Sequence, residues 1–155
     1  MRTAFLSAFC CFLLAAVAAC ESDAVSKNVA ESKAIESVIG TWTLDSIGDK
    51  GFMQLVPQDA PVKKPTLDIS ADGSVSGFAG VNRLMSKIDL DALSKGDFKL
   101  SPTGTTMMAG PEYAMKLERE YLDALWRVRN FKIDGSKLTL TDGATQIMQF
   151  VRGGS

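Results

Sequence analysis

GPEYAMKLEREYLDALWRVR, spanning Gly110–Arg129, decides the fold. Ala114, Leu117, Tyr121, Leu125 and Val128 recur at spacings of three and four, so they share one face of a helix. Leu122 and Met115 widen that stripe. Pro111 suits the first helical position, where its missing N–H leaves nothing unpaired, and Gly110 can serve as the cap. Glu112 lies near the positive end of the helix dipole, with Arg127 and Arg129 near the negative end. Glu112–Lys116 and Asp123–Arg127 are acid-before-base pairs four apart on the opposite face. One apolar and one mixed-charge face describe a surface helix pressed onto an apolar partner. A membrane-lying helix would carry a basic polar face, which this one lacks.

Outward from that helix, short strand patterns fill the chain. Thr41 to Ile47 alternates, with Trp42, Leu44 and Ile47 facing inward. Gly48 to Lys64 reads as a long loop. Thr66–Ser70 and Ser74–Phe78 form a hairpin through Asp72-Gly73. Leu84–Leu90 and Asp97–Ser101 read as strands flanking a loop at 91–96. After the helix, Phe131–Ile133, Leu138–Thr141 and Ile147–Val151 form a meander, joined by Asp134-Gly135 and Asp142-Gly143 turns. The predicted fold is α+β: a curved antiparallel sheet, or cracked β-barrel, of about 7–8 short strands with one amphipathic helix packed on it.

Composition narrows the function. The chain of 155 residues suits one domain, and its formal net charge is −1. No basic block points to nucleic acid. Histidine is absent, which removes His triads, His metal sites and imidazole pH switches. Asp68, Asp72, Asp89 and Asp91 read as turn, strand-end or loop carboxylates rather than a catalytic pair. Ser and Thr have no histidine base, and a hydrolase using Ser and Lys is possible only in principle. The protein is therefore expected not to be an enzyme. Met107, Met108 and Met115 lie close together, and thioethers can hold Cu(I). Filling apolar gaps is the commoner use of methionine, so no metal and no cofactor is expected.

The N-terminus has a different character. Arg2 precedes an apolar run from Ala4 to Ala19, broken only by Ser7, which ends Val17-Ala18-Ala19-Cys20. The run is short and is followed at once by polar residues, as in a signal peptide. Its end resembles a bacterial lipobox. The resemblance implies diacylglycerol on the Cys20 sulfur, cleavage before Cys20 and palmitate-type acylation of the new N-terminus. Glu21 in place of aspartate implies outer-membrane sorting, facing the periplasm. Cys10 and Cys11 would leave with the signal, so the exported part would have no disulfide or thiolate site. The expected divisions are 1–19 signal peptide, 20–39 lipidated N-terminus and tether, 40–152 folded domain, and 153–155 tail. Residues 21–37 read equally as a solvated tether or as a short helix carrying Val25, Val29 and Ile35.

Two further motifs carry a family resemblance. Gly77-Phe78-Ala79-Gly80-Val81-Asn82-Arg83 is the first; Thr106-Met107-Met108-Ala109-Gly110 is the second. With Gly40-Thr41-Trp42-Thr43-Leu44 and the closing Leu138 and Leu140, they resemble the META domain, or HslJ-like, family over about Gly40 to Val151. Many members carry cysteine where Val81 and Gly110 stand, so the resemblance implies that these positions are spatial neighbours within disulfide reach. Ser86 and Ile88 replace the family's Gly and Tyr after the Asn. The motif residues Gly77, Gly80, Asn82, Arg83, Thr106 and Met108 are expected to be structural, forming a sharp corner in the sheet. The resemblance implies a stress-related, non-catalytic role at the envelope, with the membrane, through its anchor, and an apolar ligand or envelope protein as partners. The alternative is a carrier of a small apolar ligand or lipid in a barrel-like cavity. Gly40-Thr41-Trp42 also resembles the lipocalin opening, although a lipocalin places its helix after eight long strands.

Overall fold

A computed structural model describes residues 18–153. In chain order the elements are α1 (Ala18–Val38), β1 (Gly40–Ile47), β2 (Lys50–Gly51), α2 (Phe52–Leu55), β3 (Thr66–Ile69), β4 (Ser74–Phe78) and β5 (Arg83–Lys87). Then follow α3 (Leu90–Ser94), β6 (Gly104–Thr105), α4 (Glu112–Arg127), β7 (Asn130–Asp134), β8 (Lys137–Thr141) and β9 (Gln146–Arg152). The predicted signal peptide lies outside the described residues except for its last two, and Cys20 stands in the first turn of α1.

The fold is α+β, with one open, curved antiparallel sheet ordered β6-β5-β4-β3-β1-β9-β8-β7 and β2 appended to β1. β1 holds the centre, between β3 and β9. Trp42 and Leu44 point inward and are fully buried. A bulge then inserts one residue between Leu44 and Ser46 against β9. That extra residue shifts the alternation, so Ile47 rather than Ser46 packs on the core.

The hairpin turns have local causes. Asp72 accepts hydrogen bonds from the Ser74 N–H (3.0 Å) and the Ser74 hydroxyl (2.9 Å), while Gly73 takes φ 78°. Those two donors hold the Asp72 carboxyl below its usual range. Asp142 likewise accepts from the Thr145 N–H at 3.1 Å in the β8–β9 turn.

α4 lies across the sheet with the predicted stripe inward: Ala114, Leu117, Tyr121, Leu125 and Val128 are all buried. Each large apolar side chain on that stripe stabilises the fold by about 1.5–3 kcal/mol. Tyr121 meets Phe150 edge-on at 6.2 Å and donates its hydroxyl to the Thr66 carbonyl at 3.2 Å. The helix begins one residue later than the sequence suggests. Pro111 itself, at ψ 145°, is the cap residue and Glu112 the first helical one.

For three segments the structure decides between or departs from the sequence readings. Residues 21–37 belong to a helix that continues from Ala18 to Val38, and its C-terminal turn docks on the body. Val38 enters the core, and the Val38 carbonyl accepts from the Trp42 indole at 2.8 Å. The Arg152 guanidinium lies 4.3 Å over the Trp42 ring and donates to the Ile39 carbonyl (2.9 Å) and the Ser37 carbonyl. A cation is favourable at a helix C-terminus.

Second, Leu90–Ser94 turns helical after the Ile88 bridge, because Asp89 accepts from the Ala92 N–H at 3.1 Å and caps α3. Third, Asp97–Ser101 is not a strand. Asp97 bridges Asn130 at one sheet edge, whereas Leu100 bridges Ile88 at the other. A segment divided between two edges cannot hold a continuous ladder with either. It spans the gap in the sheet without closing it.

Candidate functional site

The two family motifs meet α4 at a buried carboxylate. Glu118 is 7 % exposed and stands on the apolar face, four residues after Ala114 and three before Tyr121. Its Oε2 accepts from the backbone N–H groups of Val81 (3.0 Å) and Asn82 (2.6 Å). Its Oε1 accepts from Asn82 Nδ2 at 2.8 Å. A buried charge is costly unless its oxygens are occupied by donors, and here three donors converge on it.

Asn82 passes the connection on. Its Oδ1 accepts from the Thr106 hydroxyl (2.9 Å) and the Met108 N–H (2.7 Å), and its Nδ2 also donates to the Met108 carbonyl at 3.2 Å. The Thr106 hydroxyl oxygen in turn accepts from the Arg83 N–H at 3.1 Å. Five predicted motif residues thus come together: Gly80, Asn82, Arg83, Thr106 and Met108. Arg83 contributes its backbone; its side chain is exposed. Gly77 stands apart, inside the β3–β4 ladder.

The glycines explain how the chain approaches so closely. A Cβ on Gly77 would fall 2.2 Å from the Thr66 carbonyl oxygen, so no side chain fits there. Gly80 takes φ 138°, and a Cβ on it would press on α4 at the Ala114 carbonyl oxygen (3.0 Å). A Cβ built on Gly110 would lie 3.4 Å from Val81 Cβ. That is at the short limit of the spacing of a disulfide-bonded pair, so the two positions are the neighbours the family resemblance implied.

The latch holds an exposed segment. Ser101 to Ala109 lies on the surface apart from half-buried Thr103, and Met107 is 98 % exposed although the residues on both sides of it are pinned to Asn82. Met108 is 55 % exposed, while Met115 is half-buried on α4. Among the described residues, no group of three or more His, Cys, Asp or Glu side chains is placed to hold a metal. Asp72 and Asp89 serve the turn and the helix cap described above. Glu118 was missed by the sequence reading, although a carboxylate on the apolar stripe was the available signal.

The interior is filled: Trp42, Tyr121, Phe98 and Phe150 are all less than about 2 % exposed. An open groove of about 570 Å³ lies between the 97–100 segment and the end of α4, lined by Phe98, Lys99, Leu100, Trp126 and Arg129. Another, of about 490 Å³, lies between α2 and the start of α4. Among the described residues no helix is long and apolar enough to cross a membrane.

The META domain family profile matches residues 36–154. The chain belongs to the META domain family. No curated protein matches it. Among solved structures, a protein from Burkholderia xenovorans, determined by NMR, superposes with a TM-score of 0.57 at 24 % identity, over 81 % of this chain and 89 % of that one. A second NMR structure superposes with a TM-score of 0.52 at 20 % identity, over 73 % of this chain and 88 % of that one. A DUF4847 family protein from Bacteroides vulgatus gives 0.49 at 16 % identity, over 78 % of this chain and 99 % of that one. The first two show that the fold is shared.

Proposed function

We propose that this protein is a lipid-anchored module of the bacterial cell envelope that works by binding rather than by catalysis, in a stress-related role. The anchor is Cys20, and the body faces the periplasm from the outer membrane. The Val17-Ala18-Ala19-Cys20 sequence supports the anchor. α1 without Ala18 and Ala19, which leave on cleavage, then acts as a spacer about 28 Å long at the helical rise, rather than a loose tether.

The observation that carries the binding reading is the Glu118–Asn82 latch. A buried charge is costly to place, and here it fixes an exposed, uncharged surface segment. Its oxygens are turned to the backbone and to Asn82, and Glu118 lines neither of the two grooves described above. Intact-mass analysis of the membrane-extracted protein tests the anchor. A diacylglyceryl adduct that vanishes in Cys20→Ala supports it, and an unacylated protein secreted freely refutes it.

One observation favours the carrier reading instead. The groove beside Trp126 combines apolar walls with Lys99 and Arg129 against the one carboxylate of Asp97, a lining of net positive charge that suits an anionic amphiphile at a surface site of ligand-binding size. The filled core argues against a ligand inside the sheet. Native mass spectrometry that finds a copurifying lipid, lost in Trp126→Glu, would favour this reading over the first.

A further inference from the structure

The sheet has two ends, and they are built differently. β7 carries Lys132 and Asp134 as exposed charges. Edge charges of that kind block pairing with another chain. The other end, from Ser101 through Pro111, reads SPTGTTMMAGP and carries no charge at all.

The register shows where its free backbone groups point. Leu84 faces Thr105 and Met85 faces Gly104. The Thr106 N–H donates to the Arg83 carbonyl at 3.1 Å, so the Thr106 amide turns toward β5. In an antiparallel ladder alternate residues turn their amides the opposite way. The N–H and C=O of Thr105 therefore face away from the sheet. Met107 lies past the end of β6, between Thr106 and Met108, whose amides both turn inward, and a chain that continues extended there turns the Met107 groups outward as well.

We infer that this edge pairs with the same edge of a second copy. A two-fold axis at Thr106 sets each copy's Thr105 opposite the other's Met107. The outward amides of both copies then meet in register. A second copy suits the site because self-pairing sets every residue against its own segment. Like charges placed across strands are destabilising, and this segment has none to place. Met107, Met108 and Met85, all more than half exposed, supply adaptable apolar surface around the seam. Pro102 and Pro111 bound the segment, and the β7 edge, at the opposite end of the strand order, is charged. The assembly therefore closes as a dimer and does not extend into a filament. This inference rests on the reading of the protein as a binding module, but not on its anchor.

Sedimentation of the purified protein tests it, with paired variants. So small an interface predicts a weak dimer, with Kd on the order of 100 μM. Met107→Lys brings a charge to each side of the axis, and Thr105→Pro removes an N–H that faces outward. Each should weaken association by more than about tenfold, while the urea midpoint of Met107→Lys stays at the wild-type value. On dilution, amide shifts should concentrate at Thr105–Met108. A wild-type protein still monomeric at millimolar concentration overturns the inference, as does a dimer that survives both substitutions. A monomer that instead takes up an extended peptide at this edge would also overturn it, yet would leave the binding reading standing. Loss of acylation would bear on the anchor alone.

Discussion

Replacing Glu118 by glutamine changes one oxygen into an NH2 and leaves the shape unchanged, yet it should cost about 2–3 kcal/mol. The carboxylate satisfies two backbone donors with Oε2 and the Asn82 amide with Oε1. A glutamine can keep its oxygen on only one side. The cheaper orientation leaves the oxygen on the Val81 and Asn82 N–H groups and sets its NH2 against Asn82 Nδ2. That orientation loses one charge-assisted hydrogen bond, worth about 1.5–3 kcal/mol, and places donor against donor. The other orientation strands two backbone donors and costs more. Glu118→Ala removes all three acceptor contacts, and the expected loss is about 3–5 kcal/mol. That is a large share of the roughly 5–15 kcal/mol that stabilises a typical domain. The assay is urea unfolding followed by Trp fluorescence, in which the midpoint falls and the slope holds, since the buried surface is unchanged. A double-mutant cycle with Asn82→Ala should show a coupling above about 1 kcal/mol. A glutamine variant within about 0.5 kcal/mol of wild type would refute the reasoning.

Other substitutions probe the same architecture. Val81→Cys with Gly110→Cys should form a disulfide that stabilises by about 3–4 kcal/mol for a loop of this size, and denaturation with and without reductant would show it. Gly77→Ala sets a methyl 2.2 Å from the Thr66 carbonyl oxygen and should destabilise by about 3 kcal/mol or abolish soluble expression, read by thermal unfolding. Burial, with the nearby Asp68 charge, pushes the Tyr121 hydroxyl well above its usual range. The neutral phenol is thus favoured in the fold, and its contribution is full below about pH 10, then declines as pH rises above that unfolded value. Tyr121→Phe should flatten that alkaline limb in a pH series of unfolding midpoints. Arg152→Ala should release the end of α1, seen as faster hydrogen exchange at Ile39 and a loss of about 1–2 kcal/mol.

Much of the sheet was legible because its turns are spelled out. Asp72-Gly73, Asp134-Gly135 and Asp142-Gly143 each punctuate alternating runs, and period-two patterns fix which face is buried. The inward stripe of α4 was legible for the same reason, at period 3.6. What the pattern could not show was long-range pairing. Asp97–Ser101 alternates like a strand, but its fate depends on two edges brought together by the rest of the fold. α1 lacks an apolar stripe, since only its last turn packs, so tether and helix looked alike in sequence. The motif residues were visible as a corner, and Asn82 lies at its centre. Glu118 lies far from them in sequence and was hidden among the charges of α4, although Ala114, Glu118, Tyr121 and Leu125 also run four, three and four apart.

Residue-resolved hydrogen exchange at the Val81, Asn82 and Met108 amides tests the latch most directly. Although they sit in a loop beside an exposed segment, these amides should exchange only through global unfolding, as core strand amides do. Exchange at the rate of a solvated loop would mean that the buried carboxylate does not hold the motif, and would contradict the account.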